Sequence, residues 1–188
     1  VGIVTVLLVL TGPFIDSGFS QALIRKKDCT QTDFSSVFYF NLLMGLLVYV
    51  LVYLSAPYIG IFFNEPQLKD LTRVIAIIIL IDAATLIQTT ILTKEINFKK
   101  QTLIKGSSTI ISGSIGIYLA YKGYGVWSLV YRTIALHSLI SIILWSTSSW
   151  RPIRVFSKAS FKEMFRFGSN LLISAILDKV YYNIYNFI

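Results

Sequence analysis

Asp82, Thr85 and Thr89 stand at i, i+3 and i+7, a spacing that brings all three to one face of a helix, with Gln88 beside the stripe. A carboxylate above two hydroxyls has three uses: to hydrogen-bond a neighbouring helix, to line a wet lumen, or to hold a coupling ion such as H+ or Na+. The residues alone leave all three open. Arg132, His137, Asp178 and Lys179 also interrupt apolar stretches, while Asp16 and Arg73 lie nearer the ends of theirs. An ionisable group in a bilayer is costly, so it faces the protein interior or a water-filled cavity. Arg132 can snorkel to the nearer interface, pair with an acid, or face a lumen. His137 reads as a hydrogen-bonded structural histidine. Asp178 and Lys179 are neighbours in sequence and point about 100° apart on a helix, so they need not pair with each other. Lys179 is free to meet an anionic substrate in a cavity. Asp16, close to Gly18, reads as a backbone cap.

Other chemistries are missing from the sequence. It has no HExxH, GxSxG or Walker A motif, and no acid pair at helical spacing of the kind a metal-dependent glycosyltransferase uses. Cys29 is the single cysteine, which excludes a disulfide within the chain, and His137 is the single histidine. No metal site and no cofactor are therefore expected. The pattern points to transport or scaffolding and away from an enzyme.

The elements that carry these residues follow from composition. Of 188 residues, 55% are hydrophobic and 14% charged, with a mean hydropathy of +0.70. Ordinary soluble domains carry about 25% charged residues. The balance excludes a soluble enzyme and a disordered chain. Despite a net charge of +8, it also argues against a nucleic-acid partner. Apolar residues gather in about six blocks, each near the roughly 20 residues that a bilayer-spanning helix needs. The blocks are Val1–Ile24 (interrupted at Gly12 and Pro13), Val37–Phe62 (with Pro57 near its far end), Leu68–Thr93, Leu103–Tyr121, Val126–Ser148, and a last one from about Gly168. They are too long and too continuous for barrel strands. The expected fold is all-α: a polytopic membrane protein with about six transmembrane helices. Because the sequence starts and stops inside apolar blocks, we expect it to be part of a longer protein.

The loops orient the bundle. Arg25, Lys26 and Lys27 lie in one; Lys94, Lys99, Lys100 and Lys105 around another; Arg151, Arg154, Lys158, Lys162 and Arg166 in a third. These are twelve of the 17 basic residues, all at one end, which the positive-inside rule assigns to the cytoplasm. Thr30 to Asp33 fits a capping box, as does Ser160 to Glu163. Phe161, Met164, Phe165 and Gly168 then recur at helical spacing, which predicts a short interfacial helix before the last block. Thr109/Gly113 and Ser112/Gly116 are small-xxx-small pairs suited to close helix packing. Aromatic residues at the block ends, among them Tyr121, Trp127 and Trp150, fit an interfacial belt.

Several stretches also resemble bacterial polysaccharide (O-antigen type) flippases of the multidrug/oligosaccharidyl-lipid/polysaccharide exporter superfamily. They are FIDSGFSQALI at 14–24 followed by RKKD, TDFSSVFYFN at 32–41, KE at 94–95 with FKK at 98–100, GYGVWSLV at 123–130, WRP at 150–152 and FRFG at 165–168. Their order and spacing match across nearly the whole chain. The resemblance implies a two-lobe transporter of 12 to 14 helices. Residues 1–150 would form most of the first lobe, 151–168 the inter-lobe linker with its interfacial helix, and 169–188 the first helix of the second lobe. It further implies flipping of an undecaprenyl pyrophosphate-linked oligosaccharide across the inner membrane by alternating access, serving O-antigen or other lipopolysaccharide assembly. The partners would be that lipid-linked oligosaccharide, membrane lipid and other polysaccharide-assembly proteins. The family's cationic lumen makes Arg132 and Lys179, the deepest cations, the headgroup candidates. Asp82, Asp178, Thr85 and Thr89 are then the lumen or coupling-ion candidates. One departure is Tyr185, in a stretch where relatives often carry an acid. The alternatives are a multidrug antiporter of the same superfamily, a membrane-embedded polysaccharide polymerase or ligase, and a membrane scaffold. The short, nearly uncharged loops at the far end count against the polymerase.

Overall fold

The computed structural model describes residues 19–157 together with Phe161, Lys162 and Phe165. Its helices run in the order α1 (Phe19–Arg25), α2 (Gln31–Phe62), α3 (Gln67–Ile75), α4 (Ile77–Lys94), α5 (Phe98–Tyr121) and α6 (Val126–Thr147). Among the described residues there is no strand. Four helical stretches are long and apolar enough to cross a membrane: Gln31–Phe62, Gln67–Lys94, Phe98–Tyr121 and Val126–Thr147. The chain is thus an all-α, multi-pass membrane protein. Asp16, Asp178, Lys179, the Ser160 to Glu163 box, most of the first apolar block and the last one lie outside the described residues.

Local chemistry sets the helix ends. At the start of α2 the capping box closes in both directions. Asp33 N donates to Thr30 Oγ1 at 3.2 Å, and Thr30 N donates to Asp33 Oδ2 at 2.9 Å. The helix therefore begins at Gln31, six residues before the apolar block, and it runs on through Pro57. Only Ala76 separates α3 from α4. It keeps helical dihedrals (φ −58°, ψ −22°) and its N–H still reaches Thr72 O at 3.0 Å, so the third block crosses as one span. Asn97 caps α5 by accepting from Lys100 N. Gly123 (φ +84°) and Gly125 (φ +51°) make the α5–α6 turn in a region that side chains disfavour.

Packing uses small residues, as expected where lipid removes the hydrophobic drive between helices. Gly45 of α2 lies against α4 so closely that a Cβ there would come within 2.6 Å of Ala83 Cβ. On α5 the buried stripe is Ile104, Ser108, Ser112 and Gly116, one residue per turn. The Ser112/Gly116 pair is therefore a packing face. Among the described residues the Thr109/Gly113 pair packs against no helix: a Cβ at Gly113 would meet nothing of them within 4 Å. At the basic end, Phe19, Leu23, Val37, Phe38, Ile87 and Trp150 form an apolar cluster. The chain after α6 folds back onto it. Gln31 donates to Arg151 O, Ile153 N donates to Ser35 Oγ at 3.1 Å, and Ser157 N donates to Ser36 Oγ at 2.9 Å. Phe161, predicted for an interfacial helix, packs its ring on Phe19 and Phe40, with centroids 5.8 and 4.8 Å apart.

Candidate functional site

The one-face stripe on α4 meets α6. Asp82 lies near the middle of the span Gln67–Lys94, and His137 near the middle of Val126–Thr147. His137 Nδ1 and Asp82 Oδ1 are 2.6 Å apart. Next to this pair, Thr85 Oγ1 is 2.9 Å from Ser141 Oγ and donates to Ile81 O at 2.7 Å. The i, i+3 spacing on α4 thus pairs with the i, i+4 spacing on α6 to make a two-rung polar seam. Thr89 does not extend it: its hydroxyl donates back to Thr85 O at 3.4 Å. Thr90, a residue outside the predicted stripe, hydrogen-bonds Ser20 of α1 at 3.1 Å.

Neither member of the upper rung is enclosed by the described helices. The His137 side chain is 29% exposed and that of Asp82 44%. The bond joins a carboxylate on α4 to an imidazole on α6 and ties the two helices at mid-span. Sequence reasoning treated His137 as a structural histidine and gave no role to Ser141.

Arg132 sits apart from this seam. It is five residues before His137 on α6, which turns it to another face of the helix. Its stem crosses α5 at Gly116. Among the described residues no carboxylate lies within ion-pair distance of it, so pairing with an acid does not explain its position there. Arg73 is differently placed, with its guanidinium 4.5 Å from the centroid of the Tyr53 ring. Asp178 and Lys179 lie outside the described residues.

A second polar assembly fixes the basic end. The Lys94 ammonium donates to Leu23 O at 2.9 Å and to Lys26 O. It also lies 2.9 Å from Cys29 Sγ. Lys26 in turn pairs with the buried carboxylate of Asp33 at 3.2 Å. The last turn of α4 thereby caps the end of α1 at the same carbonyls that accept from the Cys29 thiol, Leu23 O at 3.2 Å and Lys26 O at 3.4 Å. Among the described residues no cluster of His, Cys, Asp and Glu could hold a metal ion.

Comparison with known proteins agrees with a polysaccharide-related membrane bundle. The chain is 28% identical over 172 residues to the teichuronic acid biosynthesis protein TuaB of Bacillus subtilis, covering 90% of this chain and 36% of that protein. It is 23% identical over 163 residues to the succinoglycan biosynthesis transport protein ExoT of Rhizobium meliloti, covering 86% and 33%. It is 24% identical over 186 residues to the lipopolysaccharide biosynthesis protein WzxC of Escherichia coli, covering 94% and 37%. The chain thus spans about a third of the length of these relatives. No solved structure gives a significant match. The family described as polysaccharide biosynthesis protein matches residues 1–188, and the chain belongs to that family.

Proposed function

We propose that this sequence is the first-lobe part of a non-enzymatic transporter that flips a lipid-linked oligosaccharide across the bacterial inner membrane by alternating access, for polysaccharide export. The carrying observation is the mid-span Asp82–His137 pair at 2.6 Å, with both side chains partly open to whatever lies beside α4 and α6. A partly open carboxylate and imidazole at mid-membrane depth suit an aqueous path. The family match and the names of ExoT and WzxC support polysaccharide as the cargo class.

Within this reading Arg132, with Lys179, offers positive charge to the pyrophosphate headgroup, and Asp82 with His137 is the place for a coupling ion, H+ or Na+. Asp178, Thr85 and Thr89 are further lumen candidates. The test is reconstitution of the full-length protein into vesicles holding a fluorescent undecaprenyl pyrophosphate oligosaccharide in one leaflet. Protein-dependent appearance of the sugar in the other leaflet is expected. Transport of cationic dyes without transport of the lipid-linked sugar would replace the reading with a multidrug antiporter.

A further inference from the structure

At the basic end of the bundle a cleft of about 640 Å³ opens between the α1–α2 loop, the end of α4 and the segment after α6. Lys27, Lys94 and Arg151 line it, with Phe34 and Trp150; Glu95 is the one acid among its described lining residues. The cations are held by neutral groups. Lys94 donates to Leu23 O and Lys26 O, while Arg151 donates to the carbonyls of Ser148, Trp150 and Trp145. A carbonyl fixes such a group in place and leaves its charge uncancelled. Lys27 is exposed, with no ion-pair partner among the described residues. Trp150, 8% exposed, adds an aromatic wall where the cleft meets the apolar cluster at this end.

Uncancelled positive charge beside aromatic walls suits a phosphate that carries hydrocarbon next to it. The cleft also lies where α1, α4 and α6 end and α2 begins, at the basic end of the apolar spans. Basic pockets between helix ends on the cytoplasmic side are suited to anionic lipid heads. We propose that this cleft is a binding site for the phosphate headgroup of an anionic phospholipid, separate from the α4–α6 seam and independent of the transport reading. A bound headgroup would tie the α1–α2 loop to the chain leaving α6.

Cys29, which lines the cleft and is the single cysteine of this sequence, reports occupancy. The full-length protein, with any cysteine outside this sequence replaced, is placed in nanodiscs of phosphatidylcholine alone or with phosphatidylglycerol. The rate of alkylation by uncharged N-ethylmaleimide is then followed. Phosphatidylglycerol is expected to slow the reaction. Lys27→Gln is expected to weaken the lipid's apparent affinity about fivefold, the equivalent of about 1 kcal/mol per basic group. Lys99→Gln, an exposed change at the same end but outside the cleft, is expected to preserve protection. Equal loss with Lys99→Gln would reduce the effect to general surface charge and overturn the site. Equal protection by inorganic phosphate in phosphatidylcholine discs would replace the lipid with a free anion. No protection by either would remove the proposal.

Discussion

Arg132 rests its aliphatic stem on Gly116: a Cβ added at residue 116 would lie 3.0 Å from both Cβ and Cδ of the arginine. The glycine lets α5 and α6 approach and sets the path of the Arg132 side chain. We predict that Gly116→Ala costs about 1–3 kcal/mol through overpacking and lowers export by displacing Arg132. Gly113→Ala, facing open space, should leave both unchanged. Thermal unfolding in detergent, read beside export, checks the pair.

Removing the charge tests Arg132 directly. Arg132→Ala should reduce polysaccharide export while expression and membrane insertion hold, and Arg132→Lys should restore part of it, keeping the charge but losing the planar fork. Normal export from an Arg132→Ala, Lys179→Ala double mutant at normal protein level would remove both from the lumen assignment.

The polar seam separates binding from packing. Asp82→Asn keeps a hydrogen-bonding side chain of similar size against His137 but removes the carboxylate. If the pair is the coupling-ion site, it should abolish gradient-driven transport and spare downhill flipping. Thr85→Val removes the second rung and should cost only about 0.6 kcal/mol of stability, the average of interhelical hydrogen bonds in membranes. If Asp82→Asn left gradient-driven transport intact, the pair would be purely structural.

Orientation is open to a simple chemical test. With the basic loops in the cytoplasm, Cys29 should resist a membrane-impermeant thiol reagent in cells whose outer membrane alone is permeabilised, and react once the inner membrane is opened. Reaction at the first stage would invert the bundle.

What the sequence disclosed, and what it hid, divides by range. The Thr30–Asp33 capping box is a contact over three residues, and it sits where its spelling placed it. The four described crossings follow from apolar length, which needs no partner to be read. The Asp82–His137 bond joins residues 55 apart, and nothing in either helix alone says which faces of α4 and α6 meet. The stripe on α4 could therefore be drawn from spacing, while its partners His137 and Ser141 could not be picked from among the other polar residues of α6. Likewise Thr109/Gly113 and Ser112/Gly116 carry the same small-residue signature. Only the position of α6 selects the second. Asn41, wholly buried on α2 with both amide atoms unpaired among the described residues, has no distinguishing pattern around it.

The fastening of Ile153 and Ser157 to Ser35 and Ser36 has a mechanical consequence. The chain reaches residue 157 after α6, yet its point of departure is bolted to the first turns of α2. A tilt of α2 carries that point with it like the arm of a crank, whereas a tilt of α6 acts on it only through the short run from Ser148. The chain's exit at residue 157 is therefore anchored, through two serine hydroxyls, to the helix that lies earliest among the four described crossings.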